Sequence, residues 1–268
     1  MLPDLRPVTS DLRPKKSLGQ HFLHDRHAIA RIVAALAAAP DDPVLEIGPG
    51  TGALTGPLAE RFPRLVALEV DQRAIDVLRA ELPDLDVRHA DVLDADWGGL
   101  AAELDADEHG LTVVGNLPYY ITSPILFALL GARLHLRRAV VMMQKEVAER
   151  LVAEPRTKAY GILSVQLQLW ARPSYLFTVK PGAFSPPPKV DSAVVALDFA
   201  GIDEPDADED RLRSVVRTAF GQRRKMLRSS LKALARQAPG SIPESMQTLR
   251  PEALAPSEFV TLTRALFG

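Results

Sequence analysis

Seven residues in the first third of the chain, Glu46-Ile-Gly48-Pro-Gly50-Thr-Gly52, have the types and spacing to hold a cofactor. Glycines let a backbone approach a ligand, and the amides of a following helix face it. Two readings compete. A dinucleotide fold asks for G-x-G-x-x-G/A, which Gly48, Gly50 and Ala53 satisfy. An S-adenosylmethionine fold asks for an acid two residues before the first glycine and then G-x-G-x-G, which Glu46, Gly48, Gly50 and Gly52 satisfy. Glu69, closing an apolar run further on, suits a ribose diol in either fold. A tight turn with no ligand is the plain alternative.

Residues nearer the middle of the chain separate the two. Asp91 stands just after a third apolar run, where its carboxylate can accept from an adenine amine, and Asn116-Leu117-Pro118-Tyr119 comes after a fourth. Nicotinamide chemistry has no use for that tetrapeptide, whereas methyl transfer to an exocyclic base amine does. The amine lone pair is delocalised into the ring, so the nitrogen must be held toward tetrahedral geometry and in line with the donor. Acceptors on both amine hydrogens achieve this. The Asn116 side-chain oxygen and the Pro118 carbonyl are the candidates, with the Tyr119 ring stacked on the base and proline stiffening the turn. No strong base is required, because a methylated, ammonium-like nitrogen loses its proton to water. The competing reading of the four residues alone is a turn around a buried tyrosine.

These motifs sit at the ends of β-branched runs that alternate with helical patterns from Val44 to about Phe199, the arrangement of βαβ units around a parallel sheet. Strands are expected at Pro43–Ile47, Leu65–Val70, Leu85–His89, Leu111–Gly115, Ala139–Met143 and Ser192–Asp198. Helices are expected at Ala28–Ala39, Ile75–Glu81, Pro124–Leu130 and Glu146–Leu151. Residues 203–210 then hold six acids, one proline and no base, which cannot form a core element. The boundary is placed there: a catalytic α/β domain over 1–202 with a basic N-terminal tail, and a small all-α domain over 203–268.

Composition excludes several classes. The 268 residues include no cysteine, so disulfides, thiolate metal sites and cysteine nucleophiles are ruled out. The longest apolar runs, such as Ile32–Ala39, fall short of the roughly 18 residues of a membrane span. The opening Met1-Leu-Pro-Asp-Leu-Arg-Pro lacks the apolar stretch of a signal peptide, so a cytoplasmic protein is expected.

The chain resembles, over nearly its whole length, the ribosomal small-subunit (16S) RNA adenine dimethyltransferase family. The resemblance is carried by Lys15-Lys-Ser-Leu-Gly-Gln-His-Phe-Leu23, Glu46–Gly52, Glu69-Val-Asp71, Asp91, Gly115–Tyr119, Gln144-Lys-Glu146 and Phe184-Ser-Pro-Pro-Pro-Lys-Val-Asp-Ser192. It implies a Rossmann-like fold that uses S-adenosylmethionine to dimethylate two adjacent adenosines near the 3′ end of small-subunit RNA, on immature small subunits. It also implies that His21, Leu23, Gly48, Glu69, Asp91 and Asn116 take the cofactor, with Gly19–Leu23 closing over its methionine part. Phe184 then resembles the family's second aromatic wall against the target base, a core phenylalanine being the alternative. At position 21 the family more often has asparagine, and histidine likewise donates and accepts. His21, His24 and His27 do not converge on one point of a helix, so no metal is expected. A monomer is expected. The related macrolide-resistance methyltransferases of large-subunit RNA, or an assembly factor on the same fold, are the alternatives; Leu117 and the Phe184–Ser192 stretch resemble the small-subunit branch more.

An RNA partner needs a basic surface. Residues 211–236 hold nine Arg or Lys and no acid. Arg213, Arg217, Arg224, Arg228 and Lys232 share about 100° of a continuous helix, and only the last three do so if Gly221 breaks it. Together with Arg223, Lys225 and the N-terminal Arg6, Arg13, Lys15 and Lys16 they are expected to meet the RNA backbone, a solvated charged face being the usual alternative. The net charge of −2 is then a cancellation between neighbouring acidic and basic stretches.

Overall fold

Runs of Val, Leu and Ile with no polar alternation need cover on both faces, which a parallel sheet between helices provides. The computed structural model describes residue 15, residues 19–106 and residues 110–268. Its strands are β1 (Phe22–Leu23), β2 (Val44–Ile47), β3 (Leu65–Glu69), β4 (Asp86–His89), β5 (Leu111–Asn116), β6 (Leu136–Gln144), β7 (Arg172–Val179), β8 (Phe184–Ser185) and β9 (Ser192–Asp198). Seven form one sheet in the order β4-β3-β2-β5-β6-β9-β7, and β1 pairs with β8 in a separate antiparallel ribbon. Strands β2 to β6 are mutually parallel, and β9 runs antiparallel to β6. Every residue of β2 and β3 is buried.

All six expected strands are present within a few residues of their expected ends. Strand β7 was not expected, because Pro173 and Ser174 obscure its pattern; as the outermost strand it tolerates a proline that a central strand would not. The first helix, Arg26–Ala35, is capped by the Asp25 carboxylate on the Ala28 amide. It stops short of Ala39, with Ala37 at a φ of 49°.

The chain divides into two compact units. The first comprises the described residues up to Ala148 together with Ser174–Ala200, and the second Glu149–Pro173 with Gly201–Gly268. Residues 149–173, expected in the first domain, therefore count with the second, because the helix Ile162–Trp170 packs on the helices Glu209–Gly221 and Pro256–Phe267. Tyr160 is fully buried there, donating to the Leu254 carbonyl at 2.8 Å with its ring edge-on to Phe220, which stacks on Phe259.

Candidate active site

Strands β2 and β5 lie side by side, with β3 and β4 stepping away on one side and β6 on the other. The order of the sheet reverses between them, and in such sheets the crevice at the carboxyl ends of the strands is where ligands bind. Both motifs emerge there. Ile47 opposes Gly115, and a Cβ on Gly115 would stand 2.8 Å from the Ile47 carbonyl, so only glycine permits this approach. Gly48 has a φ of +63° and open space where a side chain would be. The resulting cleft holds about 1070 Å³ of space between atoms, its open mouth included.

Its polar groups are held largely by backbone. Glu69, at the end of β3, accepts from the Gly50 amide at 3.0 Å and from the Val70 and Asp71 amides at 2.8 and 2.9 Å. A carboxylate offers about four lone pairs, so three fixed donors leave one for a ligand hydroxyl. Asp91 caps a short 3₁₀ turn through the Leu93 amide at 2.9 Å. Glu46 is buried beneath the glycine loop and its Oε2 has no hydrogen-bond partner. Burial pushes its carboxyl up to about 8; the Thr55 hydroxyl beside it lowers the value without making a hydrogen bond, and the Glu69 charge raises it further.

The N-terminal segment Gly19–Leu23 lines the same cleft. The His21 carbonyl accepts from Asn116 Nδ2 at 3.0 Å, and its ring Nδ1 donates to the Pro186 carbonyl at 2.8 Å. With its amide nitrogen so committed, Asn116 presents Oδ1 as an acceptor. Gln20 and Lys15 reach the Asp71 carboxylate at 3.3 and 3.4 Å. Hydrogen bonds from Arg73 hold that carboxyl well below its ordinary range.

Around the tetrapeptide two expectations change. The Pro118 carbonyl already accepts from Ile121 N at 3.2 Å and Thr122 Oγ1 at 3.0 Å, which uses both its lone pairs. Leu117 lines the cleft, and its carbonyl carries no hydrogen bond among the described residues. Phe184 is 3% exposed, sits in β8 opposite Leu23 and belongs to the hydrophobic core, away from the cleft lining. Tyr119 does line the cleft, its ring 5.5 Å from His21 and its hydroxyl 2.5 Å from Ser192 Oγ. Burial pushes its phenol up. Asp71, Tyr120 and Ser192 were not assigned from sequence; Asp71 and Ser192 lie in stretches that carry the resemblance, but no spacing reveals their partners.

The expected RNA-facing bases divide. Arg213 pairs with Glu209 at 2.5 Å and lies over the Trp170 ring, and Arg223 pairs with Glu252 at 2.8 Å while donating to the Thr157 and Lys158 carbonyls. These two fasten the second unit internally. Arg217, Arg224, Lys225, Arg228 and Lys232 are exposed and form no ion pair among the described residues. Arg6, Arg13 and Lys16 lie outside the described residues. Among the described residues no three His, Cys, Asp or Glu side chains gather as a metal would need, and no helix is long and apolar enough to cross a membrane.

Comparison with known proteins adds the lineage. The family described as Ribosomal RNA adenine dimethylase matches residues 12–252. A curated relative from Salinibacter ruber, Ribosomal RNA small subunit methyltransferase A, is 56% identical over 95% of this chain and 85% of its own length. Among solved structures, a dimethyladenosine transferase from Plasmodium falciparum superposes with a TM-score of 0.74 at 26% identity, covering 90% of this chain and 96% of that one. The 23S rRNA methyltransferase ErmE gives a TM-score of 0.66 at 30% identity over 91% and 99%. On residues matched and identity alike, the chain belongs to the ribosomal RNA adenine dimethylase family.

Proposed function

We propose that the protein is an S-adenosylmethionine-dependent enzyme that dimethylates the 6-amino groups of two adjacent adenosines near the 3′ end of small-subunit ribosomal RNA. It acts as a cytoplasmic monomer on immature small subunits. The observation that carries this reading is the Asn116 amide, tied by its nitrogen to the His21 carbonyl beside the glycine loop, with its oxygen left to accept.

The residues present fit the cofactor. The unpartnered Glu46 Oε2 suits an ammonium group, the open space at Gly48 suits close approach of a ligand, and the last lone pair of Glu69 suits a ribose hydroxyl. Asp91 keeps an oxygen for an adenine amine, and Leu23 supplies apolar wall. S-adenosylmethionine, when bound, supplies a methyl group on a positively charged sulfur.

On the acceptor side, Asn116 Oδ1 and the Leu117 carbonyl take the two amine hydrogens and turn the nitrogen lone pair toward the donor, while the Tyr119 ring stacks on the base. The surplus proton leaves to water from the methylated nitrogen. Positioning supplies most of the rate. Arg217, Arg224, Lys225, Arg228 and Lys232 hold RNA phosphates, which sets orientation without reading sequence.

Labelled-methyl transfer to small subunits isolated from a methylation-deficient strain tests the whole reading. Dimethyladenosine in small-subunit RNA is expected. Unmodified small subunits, or label appearing instead in large-subunit RNA as the ErmE likeness would allow, overturn it.

A further inference from the structure

Stacking on a base requires an aromatic ring and makes no demand for a phenol, yet the phenol of Tyr119 is anchored. Its hydroxyl lies 2.5 Å from Ser192 Oγ, and Ser192 is fully buried at the start of β9. That strand end is itself immobilised. Ser192 opposes Gln144 of β6, the neighbouring Asp191 carbonyl accepts from the Lys145 amide at 2.9 Å, and the Asp191 carboxylate pairs with Lys180 at 2.7 Å. At the other end of the tyrosine, Thr122 Oγ1 reaches the Tyr119 carbonyl at 3.4 Å. The ring is thus fixed at its backbone and at its tip.

Dimethylation makes unequal demands on such a ring. An unmethylated 6-amino group offers two N–H donors, one each for Asn116 Oδ1 and the Leu117 carbonyl. After one transfer a single N–H remains, so one acceptor loses its partner and stacking carries a larger share of the base's orientation. A wall free to rock about its own torsions costs little when two hydrogen bonds aim the nitrogen, and much when one does. We propose that Ser192 is a positioning residue for the second methyl transfer, acting through the Tyr119 hydroxyl; this rests on the reading of Tyr119 as the stacking wall.

Single-turnover rates of the first and second transfers are to be measured on unmethylated small subunits for the wild type, Ser192→Ala, Tyr119→Phe and the double variant. The ratio of second to first rate is independent of the fraction of enzyme that is folded and active, so a merely structural defect does not move it. Ser192→Ala is expected to lower the ratio about fivefold, the scale of one neutral hydrogen bond. Tyr119→Phe, which keeps the ring and removes the tether, is expected to do the same, and the double variant to be no worse than either single one. An unchanged ratio in Ser192→Ala, or losses that add in the double variant, overturns the proposal. A wild type that transfers no methyl to adenosine overturns the functional reading beneath it.

Discussion

The cleft of the first unit and the basic helices of the second treat polar side chains in opposite ways. In the cleft, Glu69 is held by three amides and Asn116 by a carbonyl, and Tyr119 is tethered at its tip. Along residues 217–232 the exposed bases have no partner among the described residues and only long flexible stems to place them. Methyl transfer depends on geometry good to a fraction of an ångström, so its groups must be held before substrate arrives. Phosphate contacts are point-charge attractions that tolerate a wandering side chain. Where the second unit does pin its cations, at Arg213 and Arg223, they serve the fold.

The sharpest way to break this contrast is Asn116→Ala. Loss of a preorganised polar group in a catalytic slot is expected to cost about 10²- to 10³-fold in transfer rate, while binding to small subunits, measured by co-sedimentation, stays near wild type. Normal methylation by this variant would remove Asn116 from the mechanism.

Glu46 sharpens the contrast from the side of pH. Its folded-state pKa, about 8 against an ordinary 4.5, means that the free protein binds a proton there at neutral pH. Between those values the folded state holds more protons than the unfolded one, so the group costs stability as pH rises through that window. An ammonium ligand requires the ionised form. Cofactor affinity is therefore expected to rise up to about tenfold per pH unit below 8, with proton release on binding near pH 7. Calorimetric titrations in buffers of different ionisation heat measure that release, and Glu46→Gln is expected to abolish it.

The smallest effects distinguish two arginine-rich neighbours. Arg223→Ala is expected to lower the stability of the second unit by about 1 kcal/mol, since it removes a partly exposed ion pair to Glu252 and two hydrogen bonds to carbonyls. Arg228→Ala is expected to leave the melting temperature unchanged and to reduce the salt slope of RNA binding by about 1. Equal effects of the two on both measurements would dissolve the division between fastening and free cations.

How much of the molecule was legible in its sequence depended on range along the chain. The strands that carry the cleft could be read because Val44–Ile47 and Leu65–Glu69 are apolar on both faces, and their motifs because glycine and acid lie within a few residues of each other. Strand β7 could not, since Pro173 looks like a loop until its edge position is known. The fastening role of Arg223 was hidden because Glu252 is 29 residues away, and the Tyr119 tether because Ser192 is 73 away. Phe184 reads as an aromatic wall from its motif, but pairing of its strand with Leu23 turns it inward. No local pattern distinguishes those outcomes.

The pairing of Phe22–Leu23 with Phe184–Ser185 also sets an order of events during synthesis. A nascent chain emerges from its N-terminus, so the glycine loop, Glu69 and Asn116 are all outside the ribosome before the partner strand of Phe22–Leu23 has been made. The floor of the site precedes its N-terminal wall by some seventy residues of translation, and completion of the cleft waits on the same stretch that delivers Ser192.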